Sequence, residues 1–197
     1  MESFIHIYLK LFFIMTPFFL VSTFLSLTQD YESGKRLKTA LKATLAISVS
    51  GLALYLFGKY IFQLFGITID AFRIGAGTVL FLSSLKMAGG GGKPVDAGND
   101  DDDIAVVPLA IPVAIGPGTI GVLLVMGVGV QSTQELLLSC SALVAATLTL
   151  GFLLVISSGI KRVLGRRGLN VLSRLTGLFV ASMAAQMIFT GIKNFMF

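Results

Sequence analysis

The chain reads as an all-α integral membrane protein of six transmembrane helices, arranged as two inverted-topology three-helix repeats. Three observations predict this class. Its 197 residues are 55% hydrophobic and only 13% charged, with a mean hydropathy of +0.90, outside the range of ordinary soluble domains. The apolar residues fall into runs long enough to cross a bilayer, which takes about 20 residues each. Two of those runs are broken near their middles by Pro17 and Pro117, 100 positions apart.

The expected spans are about 5–28, 41–64, 67–87, 104–130, 136–158 and 169–192. They group as repeat 1 (1–87), an acidic linker (88–103) and repeat 2 (104–197). Span one follows Glu2 rather than a basic stretch and lacks a small-residue cleavage site, so it reads as a span and not as a removable signal. Within it Thr16 is the expected N-cap and Pro17 the first residue of a second half-helix. Span three opens with Asp70 and Arg73, three apart on one helix face and placed to form an ion pair.

The linker holds four consecutive glycines and the run Asp100 to Asp103, a composition suited to a solvated tether. It lacks the alternating ligands and closing glutamate of a calcium loop. In span four, Pro108 and Pro112 loosen the first half, and Gly116 and Gly118 flank Pro117. Span five holds Cys140, the single cysteine, so the chain forms no internal disulfide. Span six opens with Arg174; Gly177, Ser182 and Gln186 on it, like Gly75, Gly77 and Ser84 on span three, suit helix contacts. The lone His6 has no Cys or His companion and reads as interfacial rather than metal-bound.

Shifting the sequence against itself pairs Pro17 with Pro117 and Gly51 with Gly151 at an offset of 100, Gly58 with Gly159 and Arg73 with Arg174 at 101, and Gly66 with Gly168 at 102. Tandem copies of a three-span unit insert with opposite orientations, related by a two-fold axis in the membrane plane. Charge agrees with this. Eleven basic residues, among them Lys35, Arg36, Lys161, Arg166 and Arg174, fall on one side, against Lys10, Lys59, Arg73 and Lys193 on the other. The positive-inside rule then puts both termini outside and the basic loops in the cytoplasm. The net charge of +5 is therefore a topology signal, with lipid headgroups as the secondary partner and nucleic acid excluded.

A mid-membrane proline frees backbone groups that must face protein or a cavity, and paired breaks in two halves point to a transporter's binding site. The new helix N-termini carry free N–H donors and partial positive charge suited to a carboxylate. The candidate substrate-binding residues are Thr16, Pro17, Phe18 and Phe19 at the first break, with Gly116, Pro117, Gly118 and Thr119 at the second. Asp70, Arg73 and Arg174 are candidates for gating or for locking helix ends. The core shows no Ser/His/Asp set, paired carboxylates or metal cluster, so an enzyme is not expected. No cofactor is expected; coupling to sodium or protons stays open. Two other classes remain: a pore with inverted repeats, and a membrane scaffold or assembly protein without transport.

The stretches Phe65-Gly66-Ile67-Thr68-Ile69-Asp70-Ala71-Phe72-Arg73, Val107-Pro108-Leu109-Ala110-Ile111-Pro112 and Gly116-Pro117-Gly118-Thr119-Ile120, with Arg174-Leu175-Thr176-Gly177-Leu178, resemble the MarC/SnatA family of prokaryotic membrane proteins over essentially the whole chain. Some members are described as transporters of small neutral amino acids such as glycine and alanine, so the resemblance implies a zwitterionic small-molecule substrate. One departure stands out. Where the family pattern in span one has Asn, Gly and a second Pro, this chain has Thr16, Phe19 and Ser22. That removes a bifunctional amide and fills space that glycine leaves open.

Overall fold

The computed structural model describes residues 4–90 and 104–196, and among these every regular element is helical. Helices α1 (Phe4–Ile14) and α2 (Pro17–Leu27) are two arms of one apolar stretch, bent by 41°. Helices α3 (Ser33–Phe65) and α4 (Ile69–Ala88) follow. A π-type segment, Ala105–Ala114, then meets α5 (Pro117–Val128) at a 70° bend, before α6 (Thr133–Val155) and α7 (Ser157–Met196). Three stretches, Ser33–Gly58, Thr133–Val155 and Ser157–Met196, are long and apolar enough to cross a membrane, and each bent pair adds one more if taken as a single span. Helix α4, the expected third span, is 20 residues long but is not among them. Most of the linker expected at 88–103 lies outside the described residues; Ala88 closes α4 and Gly89–Gly90 form a turn.

Local chemistry sets the ends. Pro17 and Pro117 each occupy the first turn of a helix, where a missing N–H costs nothing. Thr68 Oγ1 accepts from Ala71 N at 3.2 Å at the start of α4. Ser132 Oγ accepts from Glu135 N at 3.2 Å while Glu135 accepts from Gln131 N at 3.0 Å, a capping box in all but its last register. Gly66 closes α3 at φ 62°, and Gly165 kinks α7 at φ 65°, ψ 176°, conformations that L side chains rarely adopt. The expected partner of Gly66 was Gly168; the positive φ falls on Gly165 instead. The Ala105–Ala114 segment departs from helical geometry at Val107 and Ile111, each followed by a cis peptide bond to Pro108 or Pro112.

Unlike a soluble bundle, this one is apolar on its outer surface as well as in its interior. Leu11, Met15, Phe24, Ile115, Leu123 and Leu150 are sealed in the interior, whereas Leu45, Val49, Phe152, Leu178 and Phe189 point outward and exposed. Such an apolar belt is stable against lipid and not against water. Between helices, small residues and hydroxyls make the contacts. A Cβ on Gly77 would stand 2.8 Å from Ile188 Cγ1 and 3.3 Å from the Ala184 carbonyl, and one on Gly177 2.8 Å from Ala88 N, so α4 and α7 approach almost backbone to backbone. Gly75, also expected at a helix contact, faces open space. Ser48 donates to Thr147 at 2.7 Å and Tyr8 to Thr149 at 3.0 Å, tying α3 and α1 to α6.

Several helix contacts come in exchanged pairs, although α3 packs closely on α5 and the equivalent α2–α6 contact is slight. Helix α1 lies on α6 and the Ala105–Ala114 segment on α3; α4 lies on α5 and α2 on α7; α3 pairs with α6 and α4 with α7. The basic clusters read as loops are helical. Lys35 to Lys42 lie in the first turns of α3, and Lys161 to Arg167 lie within α7. Arg36 donates to the Thr28 carbonyl at 2.7 Å and to Ser158 Oγ at 2.8 Å, joining the end of α2 to the start of α7.

Candidate functional site

At the first break α1 ends at Ile14 and the chain turns through Thr16, whose φ 49°, ψ 61° is left-handed. Thr16 N donates to the Phe13 carbonyl at 3.0 Å, and its own carbonyl accepts from Leu20 N at 3.0 Å. Thr16 holds the N-cap position as expected, but its side chain makes no capping bond, because the left-handed backbone does not present the hydroxyl to the first turn. A β-branched residue in this region is a true outlier. At the second break Gly116 is extended (φ −82°, ψ 175°), and its carbonyl accepts from Ile120 N at 2.9 Å.

The two breaks touch. Thr119 Oγ1, on the first turn of α5, lies 3.1 Å from the Ala114 carbonyl and 3.4 Å from the Ile14 carbonyl. These are the last residues before the second and the first break respectively. A hydroxyl has one proton, so the nearer carbonyl receives it more often and the two compete. Thr119 is 3% exposed, which makes this bond a buried one.

Two cavities flank the first break. One, of about 410 Å³, reaches Phe19 and Ser22 on α2 and opens at the basic end of the bundle, where Gln29, Gly90 and Lys161 lie. The other, of about 930 Å³, reaches Phe13 and Ile14 on α1 and opens at the opposite end, past His6, Gly129 and Thr190. Their linings correspond. Ser22, Leu25, Ser26, Gln29 and Met87 line the first; Val122, Val125, Met126, Gly129 and Met187, each 100 positions later, line the second. Arg174 lines the basic-end cavity and its repeat partner Arg73 the other.

The expected site residues therefore divide. Phe19, Arg73 and Arg174 line cavities. Thr16, Pro17, Phe18, Gly116, Pro117, Gly118 and Thr119 line neither, and residues 15–18 lie along the chain between the two. Pro117 is exposed, and a Cβ on Gly118 would overlap Leu80 on α4. The pocket expected among these residues is thus neither of these two cavities. Of the cavity residues, Ser22 stood out in the sequence as a departure from the family pattern, Gln29 only through the 100-residue spacing, and Ser173 not at all.

Asp70 and Arg73 form the expected pair, at 2.7 Å, and Asn194 Nδ2 donates to the same carboxylate at 3.4 Å, joining the start of α4 to the end of α7. Both charged side chains are about a quarter exposed (27% and 25%), so Asp70→Asn should lower stability by only about 0–1 kcal/mol, read as a small fall in thermal unfolding temperature. No group of three or more His, Cys, Asp or Glu stands ready for a metal ion among the described residues.

A family model described as "MarC family integral membrane protein" matches residues 1–196. The chain belongs to the MarC family. Similar members include the UPF0056 membrane protein MJ1677 of Methanocaldococcus jannaschii, 34% identical over 98% of both chains. The UPF0056 membrane protein YvbG of Bacillus subtilis is 33% identical over 98% of this chain and 96% of its own, and YhcE of Escherichia coli 31% over 95% and 90%. No solved structure matches the chain. The resemblance read from the Gly-Pro-Gly and Gly66–Arg73 stretches is thus a family membership that extends over a multi-pass membrane chain from end to end.

Proposed function

We propose that this MarC-family chain is a secondary carrier of small neutral amino acids, built from two inverted three-helix units that include α4 as a span. One observation carries the reading: two cavities open at opposite ends of the bundle, are lined by positions 100 residues apart, and are parted at the broken helices. A carrier needs two access routes that end on one movable barrier. The barrier here is short, a left-handed Thr16 and the Thr119 hydroxyl that bridges the two breaks. The exchange of helix contacts between the halves supports the inverted arrangement, because a rocking motion that closes one cavity opens its counterpart.

The substrate sits at the barrier, its carboxylate toward the first turns of α2 and α5, with the breaks opened relative to this conformation. The carbonyls of Ile14 and Ala114 are the acceptors a coupling cation would use once Thr119 moves away. The full chain reconstituted in liposomes and supplied with labelled glycine or alanine is expected to show saturable uptake and counterflow. Flux that rises linearly without counterflow identifies a pore, and absence of flux for every amino acid tried, with and without ion gradients, removes the carrier reading.

A further inference from the structure

The two repeat-related arginines differ in one decisive respect. Arg73 is neutralised by Asp70 at 2.7 Å, whereas Arg174 has no acidic residue on its own helix turn, and Val171 stands where the acid would be. Around Arg174 the basic-end cavity also gathers Lys161 and Arg166, and no Asp or Glu lines it among the described residues. None of the three cations has an ion pair there among the described residues. Beside Arg174, Ser173 lines the same cavity, is 7% exposed, and its buried hydroxyl has no hydrogen-bond partner among the described residues. Buried hydroxyls are ordinarily paired, and three cations sharing one cavity repel one another unless an anion joins them. The opposite-end cavity balances its charges: Glu135 lines it with Lys10 and the neutralised Arg73.

We infer that the basic-end cavity is an oxyanion site, in which Arg174 and the Ser173 hydroxyl hold a carboxylate or phosphate group and Lys161 and Arg166 draw it in. A guanidinium presents a fork matched to two oxygens, and the serine hydroxyl supplies a further donor. Gly90 leaves room for the Arg174 guanidinium, which a Cβ there would overlap, and its φ of 80° is one that L side chains rarely adopt. The inference depends on cavity charge and not on transport. A protein that moves no amino acid can still bind the anion, and one that fails to bind it can still be a carrier.

The test uses the full chain in phosphatidylcholine nanodiscs, with the side-chain Nε–H signals of its six arginines observed by NMR. Arg174 and Arg73 are assigned by Arg174→Lys and Arg73→Lys. Titration with inorganic phosphate is expected to shift the Arg174 signal saturably and leave Arg73 in place, and Ser173→Ala should weaken the apparent affinity about tenfold, the scale of one lost charge-assisted hydrogen bond. A parallel arm replaces part of the lipid with phosphatidylglycerol. A saturable Arg174 shift in that arm alone assigns the oxyanion to a lipid headgroup and keeps the site. An Arg174 signal that stays still in both arms, or moves no differently from Arg73, overturns the inference.

Discussion

Thr119→Val should cut amino-acid uptake by at least about tenfold while leaving a folded protein. Valine keeps the shape of threonine and deletes the hydroxyl, so the change is close to a subtraction of one donor. That donor serves the Ala114 and Ile14 carbonyls, at 3.1 and 3.4 Å, in a place shut off from water. Leaving a buried carbonyl without its partner costs about 1–3 kcal/mol. If the bond is made in one conformation and released in the other, that cost falls on the balance between them, and about 1.4 kcal/mol is already a tenfold change in population. Initial uptake rates in liposomes, taken with thermal unfolding in the same detergent, separate the two effects. Thr119→Ser retains the donor and should stay close to the parent. Uptake by the valine variant equal to the parent's would remove Thr119 from the transport cycle.

The largest loss of stability is expected from Gly127→Ala. A Cβ at Gly127 would overlap the Tyr55 carbonyl, and one at Gly58 would stand 2.8 Å from the Leu124 carbonyl, so α3 and α5 are held together through glycine on both sides. The obstacle is backbone, which has no rotamer to swing aside. Overpacking typically costs about 1–3 kcal/mol and exceeds that where only a helix shift relieves it, against a total stability of about 5–15 kcal/mol. With no hydrophobic force between helices in lipid, close packing is what holds this contact. Size-exclusion profiles and thermal unfolding of purified Gly127→Ala are expected to show a strongly destabilised protein. Gly75→Ala is the control: its Cβ meets nothing within 4 Å, and removing a mid-helix glycine is worth about 0.5–1 kcal/mol in the stabilising direction. Equal stability of the two variants would show that α3 and α5 are free to part.

The broken helices were legible because proline acts locally. Its missing N–H and fixed φ put Pro17 and Pro117 at helix starts whatever surrounds them. Thr16 was read as a side-chain cap from residue type alone, yet the structure holds it left-handed without that bond, between a buried Met15 and a buried Pro17. Hydropathy falls at Lys161 to Arg167, so span six is expected from about 169; the chain is already helical from Ser157, because lysine and arginine are good helix formers, and it breaks at Gly165, a few residues before the expected start. Hydropathy reports fitness for lipid, not the capacity to be helical.

Composition, the doubled proline break and the asymmetry of basic residues were enough to identify a helical membrane chain with two broken helices, because lipid solubility, proline chemistry and charge are properties of residues one at a time. The cavities were beyond such reading. Ser22 and Val122, Ser26 and Met126, and Gln29 and Gly129 line matching places with unlike side chains, so comparison of identities passes over them. The same holds for the bond from Thr119 to Ile14, which joins residues 105 positions apart. Both depend on which backbone surfaces meet once the two halves are folded against each other, and that is a property of the packed pair and not of either stretch of sequence.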